Sequence, residues 1–404
     1  MVVFYNIGIR LYGFGVFIAS FFDSKAKKWL QGRRSLLESV EDALVGFSGE
    51  TLWVHCASLG EFEMARPIME QLKQQDASLR IVLTFFSPSG YEVRKDYEVA
   101  DQVFYLPLDT PLNAKRFIAS IKPSKVIFVK YDLWFHHLNA AKKHGAKLML
   151  ISAQFRLSQQ YFKFYGSIGR KVLKLFDRIF LVDENSEKLL HQIDVKNTTV
   201  CGDTRYDRVM EIAKTAEPIL AIESFKGSAK LIVCGSTWPE DERLLAACIK
   251  AFPNTKWIIA PHEVDEANVQ RLENLFPNSV RFSGFNDNDS NVLLVDSIGM
   301  LNKLYRFADV AYVGGGFRTE LHNVLEATAF GTPTVFGPDY SRFPDAGEMA
   351  ERDLAFSIRN EQELKSRFEQ LIHEGQTELR SSILEFMQSR TGATEAILEY
   401  TNKC

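Results

Sequence analysis

The sequence predicts an α/β protein built from two parallel-sheet domains that face each other across a cleft. Three observations carry this. The chain has 404 residues, too long for one ordinary domain and comfortable for two of roughly 150–200 residues. Short apolar runs alternate with helical patterns, the rhythm of strands joined by crossover helices. The rhythm pauses in a polar stretch near residues 206–226 and then begins again. An apolar fraction of 46% with 25% charged residues is that of a globular chain,. No low-complexity tract or solenoid repeat interrupts it.

The first element stands apart. Val2 to Phe22 is almost wholly apolar, broken by Asn6 and Arg10, and Lys25, Lys27, Lys28, Arg33 and Arg34 follow it. A cleaved signal peptide would place its charges first and end in a small-residue site. The order here suits a membrane anchor with a basic flank over residues 1–34. It either spans the bilayer or lies in the interface with its cations on anionic headgroups. Both options leave everything after Lys25 on the cytoplasmic side. The remaining alternative is a buried first helix.

The first α/β domain is expected over residues 35–210. "TLWVHCA", "RIVLTFF", "QVFYLPLD", "KVIFVK", "KLMLISAQ" and "RIFLVD" read as strands. "GEFEMARPIMEQLKQQ", "PSGYEVRKDY" and "PLNAKRFIASIK" read as helices between them. The second domain, residues 211–404, restarts with "AKLIVCGSTW" and continues with "TKWIIAPH", "NVLLVDS", "ADVAYVGGG" and "PTVFGPD". Ligands of open α/β sheets sit beyond the carboxyl ends of the strands, so functional residues are expected in the loops that follow strands.

Gly314, Gly315 and Gly316 end one such strand. Three glycines allow a tight turn and let a ligand reach backbone N–H groups. Thr319 can cap a following helix whose N-terminus favours phosphate. Near its start come His322, Asn323 and Glu326, and the last two share a face where a carboxylate can accept hydrogen bonds from a ribose diol. The spacing fits neither a dinucleotide fingerprint nor a P-loop. Ser236 and Thr237 form a second small turn at a helix start, which equally suits a plain helix cap. Pro261 and His262 follow another strand. In the first domain Ser58 and Gly60 make a turn before Glu61 and Glu63. Glu63 is explained by the helix dipole, whereas Glu61 stands on the turn itself, where a general base belongs.

Other classes are disfavoured. A net charge of −3 gives no basic field for nucleic acid,. Cys56, Cys201, Cys234, Cys248 and Cys404 never form a C-x-x-C, which fits a reducing compartment without disulfides or a zinc site. Asp287-Asn288-Asp289 reads as a solvated turn, not a metal-binding D-x-D.

Together "SLGEFE", "QFRLS", "CGDTRYD", "GSTWPEDE", "HNVLEATAFGTPTVFGP" and the apolar-then-basic N-terminus resemble the Kdo (3-deoxy-D-manno-octulosonic acid) transferases of lipopolysaccharide assembly. The likeness runs from the anchor to about Asp345. It implies a glycosyltransferase of the B-type fold with two Rossmann-like domains. Its donor would be CMP-Kdo and its acceptor a lipid A precursor at the cytoplasmic face of the inner membrane. Glu61 takes the place of the family's catalytic base. Gly314, Gly315, Gly316, Asn323, Glu326, Ser236, Thr237, Pro261 and His262 fall at donor-side positions. Ser58, Gly60, Asp132 and Arg156 fall on the acceptor side. Lys130 stands where the family usually carries an acid, and Phe135-His136 replace Pro-Asn after Trp134. Lys130 is therefore read as a contact for an acceptor phosphate. The chemistry implied is inverting transfer through an oxocarbenium-like state, without metal or cofactor. Two alternatives stay open: a B-type transferase using a UDP-sugar on a lipid-linked acceptor, and a non-catalytic nucleotide-binding scaffold.

Overall fold

Apolar runs become strands wherever both faces of the chain can be covered. In the computed structural model, which describes residues 1–46, 49–286, 290–318, 321–373 and 376–404, they form two seven-stranded sheets. Thr319 and the Asp287-Asn288-Asp289 turn lie outside the described residues.

The first unit comprises Met1–Arg208 and Thr391–Cys404. Its strands are β1 (Thr51–Cys56), β2 (Arg80–Phe85), β3 (Gln102–Tyr105), β4 (Lys125–Val129), β5 (Lys147–Ala153), β6 (Arg178–Leu181) and β7 (Thr198–Val200). They lie in the order β3-β2-β1-β4-β5-β6-β7, all neighbours parallel. Helices α1 (Val2–Ala19), α2 (Ser24–Gln31) and α3 (Leu36–Ala43) precede β1. Helices α4 (Leu59–Gln75), α5 (Pro88–Arg94), α6 (Pro111–Ile121) and α7 (Phe135–His144) are the first four crossovers. Two are started by capping residues followed by proline: Ser87 before Pro88 and Thr110 before Pro111,.

The central strands are buried on both faces, as parallel strands under helices must be. Period-two alternation divides their side chains. Trp53, Val126 and Phe128 enter one core. Leu52, Val54, Ile127 and Val129 enter the other.

The second unit, Val209–Arg390, repeats the plan. Its strands are β8 (Leu231–Thr237), β9 (Lys256–Pro261), β10 (Ser279–Arg281), β11 (Val292–Leu294), β12 (Val310–Val313), β13 (Thr334–Phe336) and β14 (Ala355–Ser357). The order is β10-β11-β9-β8-β12-β13-β14, again parallel.

In each sheet the strand order reverses direction once. The reversal lies between β1 and β4 in the first unit and between β8 and β12 in the second. The two crossovers flanking such a point run to opposite faces, leaving a crevice that no connection covers.

The structure divides the chain differently from the sequence reading at its end. The helix Ala393–Lys403, expected with the second domain, packs on the first. Ile397 and Leu398 enter the first unit's core. Asp207 caps the helix start, its two oxygens accepting from Gly392 N–H at 2.6 Å and Thr394 N–H at 2.7 Å. The chain therefore passes between units after Arg208 and again after Arg390. Strands β7, β10 and β14, which are partly exposed and lack a continuous apolar run, escape a sequence reading.

The N-terminal helix is neither free nor buried. It is long and apolar enough to cross a membrane. One side packs on the first unit. Ile9 is buried, Tyr5 donates its hydroxyl to Asp109 at 2.6 Å, and Asn6 Oδ1 lies 2.6 Å from His136 Nε2. The other side exposes Val3, Phe4, Ile7, Leu11, Phe14, Phe17 and Ile18, a stripe at helical spacing,.

Candidate functional site

Each unit brings several of its predicted residues to the point where its strand order reverses. In the first unit Ser58, Gly60 and Glu61 follow β1, while Lys130 and Asp132 follow the adjacent β4. Two loops so placed project from neighbouring strand ends and converge.

Glu61 lies in the first turn of α4. Its Oε2 accepts the Ala57 N–H at 2.5 Å, which folds the side chain back over the β1 turn. Burial pushes the carboxyl up to about 7; the Ala57 N–H and Lys130 oppose this, and Asp132 adds to it,. A carboxylate poised near neutrality is what general base catalysis requires. Glu63 points elsewhere, pairing with Arg94 at 2.9 Å.

Asp132 is held by two donors. Its Oδ2 lies 2.9 Å from His55 Nε2 and accepts Trp134 Nε1–H at 2.9 Å. His55 is fully buried at the end of β1. Its Nδ1 lies 2.9 Å from Thr84 Oγ1, which already accepts Trp53 Nε1–H at 2.8 Å. The Thr84 hydroxyl also lies 3.3 Å from Val54 O; turning its one proton to Nδ1 instead leaves Nε2–H to face Asp132,. His55, Thr84 and Trp134 complete the site, and sequence reasoning assigned a site role to none of the three. A histidine inside an otherwise apolar strand, "TLWVHCA", was the available signal for the first.

Lys130 adopts a left-handed backbone, φ +57°, and its N–H donates to Ile151 O at 3.0 Å. A side chain rarely takes this conformation outside a constrained turn. Its field reaches Glu61. A cation thus stands beside Glu61. Arg156, after β5, is exposed, and its charge and that of Glu61 both act on Tyr131. This puts Arg156 in the same neighbourhood.

In the second unit Ser236 and Thr237 end β8 and Trp238 follows them, while Gly314–Gly316 follow the adjacent β12. The structure changes the reason for the glycines. A Cβ on Gly314 would come within 2.4 Å of Ser236 O and 2.7 Å of Thr237 Cα. One on Gly316 would come within 2.6 Å of Gly337 N. Gly315 has φ +89°. What approaches the triplet is the protein's own backbone. Two of the expected N–H donors are also taken: Gly314 N–H bonds Gly235 O at 2.9 Å and Gly315 N–H bonds Asp241 Oδ2 at 3.0 Å.

The helix expected after the triplet is short. The helix there is Leu325–Thr328, four residues, too short to concentrate a dipole,. Asn323 precedes it, accepting Leu325 N–H at 3.2 Å and donating from Nδ2 to Glu326 Oε1 at 3.3 Å. Asn323 and Glu326 do share a face.

Asp241 ties the second unit's two turns together. Besides Gly315 N–H, its Oδ2 accepts Trp238 N–H at 2.9 Å and its Oδ1 accepts Tyr312 O–H at 2.7 Å. Burial raises its carboxyl despite these three bonds. Thr237 Oγ1 donates to Glu242 Oε1 at 3.1 Å, and Glu242 receives Arg271 at 2.5 Å. Asp241 and Glu242, acids in the first turn of the helix after β8, are therefore the frame of these turns.

Pro261 ends β9 opposite Thr237, and His262 N–H donates to Thr237 O at 3.0 Å. The exposed His262 ring stacks on Trp238 at 4.4 Å and lies 4.6 Å from the His322 ring. Trp238 Nε1–H donates to His322 Nε2 at 3.3 Å, and Arg318 covers the Trp238 ring at 4.7 Å. Burial, then the neighbouring His262, lowers His322 to about 4, so it stays the neutral acceptor this bond needs. Among the described residues no group of three His, Cys, Asp or Glu side chains is placed to hold a metal ion.

Comparison with known proteins identifies the family and the fold. The sequence pattern of a family described as 3-Deoxy-D-manno-octulosonic-acid transferase (kdotransferase) matches residues 28–208. The 3-deoxy-D-manno-octulosonic acid transferase of Aquifex aeolicus is 30% identical over 334 residues, covering 80% of this chain and 86% of that protein. The enzyme of the same description from Chlamydia trachomatis is 28% identical over 337 residues, covering 80% and 78%. Among solved structures, UDP-GlcNAc 2-epimerase from Neisseria meningitidis aligns with a TM-score of 0.60 at 16% identity, covering 88% of this chain and all of that one. MurG from Acinetobacter baumannii aligns at 0.55 and 13% identity, covering 88% and 100%. At such identities the structural likeness speaks for the fold, two Rossmann-like domains of the glycosyltransferase B type. The sequence relatives speak for more: the chain belongs to the Kdo transferase family of glycosyltransferases.

Proposed function

We propose that the protein transfers Kdo from CMP-Kdo to a lipid A precursor at the cytoplasmic face of the inner membrane, with inversion at the anomeric carbon and Glu61 as general base. The observation that carries this is the Glu61 carboxylate, raised to about 7 at the strand-order reversal of the first unit. Ionised, it removes the proton of an acceptor hydroxyl as that oxygen attacks the anomeric carbon. CMP departs from the opposite side, so one displacement inverts the centre. The developing positive charge on the sugar is met by the Asp132 carboxylate, which His55 and Trp134 hold in place.

On the donor side the leaving group is a monophosphate. Ser236, the exposed ring of His262 and Arg318 offer a hydroxyl, an imidazole and a guanidinium for it, and this set needs no bridging cation. Asn323 and Glu326 offer an amide and a carboxylate for the ribose. Lys130 and Arg156 offer cations to the acceptor's phosphate or to the sugar carboxylate.

The N-terminal segment serves the lipid acceptor. Tyr5 and Asn6 are bonded to the body of the first unit, so the helix lies along it and presents its apolar stripe to the membrane interface,. Exposed Phe164 and Tyr165 extend that stripe near Met1, whose sulfur is 3.4 Å from Ser167 Oγ. Exposed Lys25, Lys27, Lys28 and Arg34 suit anionic headgroups,.

The test is mass spectrometry of a tetra-acylated lipid A precursor after incubation with freshly made CMP-Kdo. A gain of one or more Kdo units, lost in Glu61→Ala, is the expected result. No gain with wild-type protein that still binds CMP would sink the acceptor assignment, and no CMP binding would sink the donor assignment.

A further inference from the structure

Arg33 belongs by sequence to the basic flank assigned to headgroups, yet it turns inward. Its Nε donates to Leu106 O at 2.9 Å, Nη1 to Trp29 O at 3.1 Å and Nη2 to Phe86 O at 2.9 Å. The guanidinium lies 3.8 Å over the Trp29 ring, with Tyr105 at 4.9 Å and Phe86 at 5.1 Å. Gly32 makes this approach feasible, because a Cβ there would come within 2.1 Å of the Tyr105 ring. Burial lowers the Arg33 guanidinium to about 9. Its hydrogen bonds among the described residues go to carbonyls, none to a carboxylate. A cation that only had to meet lipid would sit in water, as the exposed neighbour Arg34 does.

What Arg33 grips is the loop after β2. Phe86 N–H donates to Cys56 O at 3.3 Å and Ser87 N–H to Ala57 O at 3.0 Å. Ala57 in turn supplies the N–H that holds Glu61. The Phe86 ring stacks on Trp134 at 4.7 Å with 29° between planes, and Trp134 donates to Asp132. One residue thus borders the hold on both carboxylates, through its backbone on one and its ring on the other. Tyr12 closes the chain of rings toward the membrane helix, 6.0 Å from both Trp29 and Phe86.

We propose that Arg33 is a positioning residue for the transfer reaction. It clamps Phe86, and through Phe86 it sets Glu61 and Asp132, so that the membrane-associating segment forms a wall of the acceptor half-site as well as a tether. This rests on the roles given above to Glu61 and Asp132. Only arginine's planar fork can meet three carbonyls while lying flat on an indole; lysine keeps the charge and loses the fork.

The experiment compares full-length wild type, Arg33→Ala, Arg33→Lys and Phe86→Leu. Turnover is measured in detergent solution with a short-chain acceptor, where membrane attachment no longer limits the reaction. Binding to vesicles of phosphatidylglycerol and phosphatidylcholine is measured separately. Displacing reactive groups by about 1 Å costs on the order of a hundredfold, so both Arg33 variants should lose roughly 10–100-fold in kcat. KM for CMP-Kdo and vesicle affinity should stay within about twofold. Equal turnover in detergent with weakened vesicle binding would overturn the proposal and make Arg33 a headgroup contact. If the Arg33 variants fail to fold by circular dichroism, Phe86→Leu decides. It leaves the carbonyl that Arg33 grips and removes the ring, with its stack on Trp134 and its contacts to Trp29 and Tyr12. A kcat loss of the same order supports the proposal, and wild-type kcat overturns it. An inactive wild type would instead refute the reaction assigned above.

Discussion

Replacing Glu61 by glutamine should inactivate the protein and stabilise it at once. The carboxyl is raised from 4.5 to about 7, with burial the largest cause. A displacement of one pH unit corresponds to about 1.4 kcal/mol, so holding Glu61 ionised in the fold costs about 3 kcal/mol above pH 7. The sign follows from proton uptake. Between pH 4.5 and 7 the folded state keeps a proton that the unfolded state has lost, so stability falls as pH rises through this window. Glutamine has the same shape, can still accept the Ala57 N–H, and has no charge to desolvate. Glu61→Gln should therefore unfold later than wild type at about pH 8, by about 2–3 kcal/mol, and the difference should close as the pH falls to 4.5. Chemical denaturation of both proteins across that range measures it. Transfer activity should fall by roughly 10²–10⁴-fold, the usual loss of a general base. Equal stability at both ends of the range, or a variant less stable than wild type at the alkaline end, would refute the claim that Glu61 is a desolvated base.

The pH profile of wild-type kcat/KM should show an acidic limb near 7, the value to which Glu61 is pushed, and a limb near 4.5 would assign the base elsewhere. Gly314→Ala should destabilise by about 1–3 kcal/mol in unfolding experiments, since its methyl would meet Ser236 O at 2.4 Å, and wild-type stability would contradict the close backbone approach. Asp241→Asn leaves only one acceptor oxygen for three donors. Calorimetry should show CMP affinity falling about tenfold, and an unchanged affinity would dissociate this frame from the donor. His55→Ala removes one of the two donors on Asp132 and should lower kcat roughly tenfold with little change in KM; the opposite split would make Asp132 a binding group.

Much of this site could be read from residues alone, for a reason in the topology. Strand ends are where apolar runs stop, and small residues mark them, so Ser58, Ser236, Pro261 and Gly314 were findable one at a time. That the β1 and β4 loops, and separately the β8 and β12 loops, adjoin depends on strand order, which a linear pattern does not encode. The glycine triplet shows the limit best. Its residue type correctly signals a close approach, but the sequence does not say whether a phosphate or Ser236 and Gly337 come close. Asp241 and Glu242 were hidden by an adequate local explanation, since acids are common in a first helical turn. His55 was hidden by its strand. Arg33 was hidden among lysines, because a run of cations has no visible inside and outside until Trp29 and Tyr105 are placed around one of them.

The last helix has a consequence for the order of synthesis. Residues 391–404 complete the first unit, but the ribosome reaches them only after the whole of Val209–Arg390. At about 5–20 residues per second this is a wait of roughly 10–40 s. During it the surface meant for Ile397 and Leu398 stands open and the Asp207 carboxylate has no helix to cap. The second unit is one unbroken segment and is free to fold in that interval. The unit that carries Glu61, though begun first, is finished last, so the second unit can fold on a nascent chain before the first is complete.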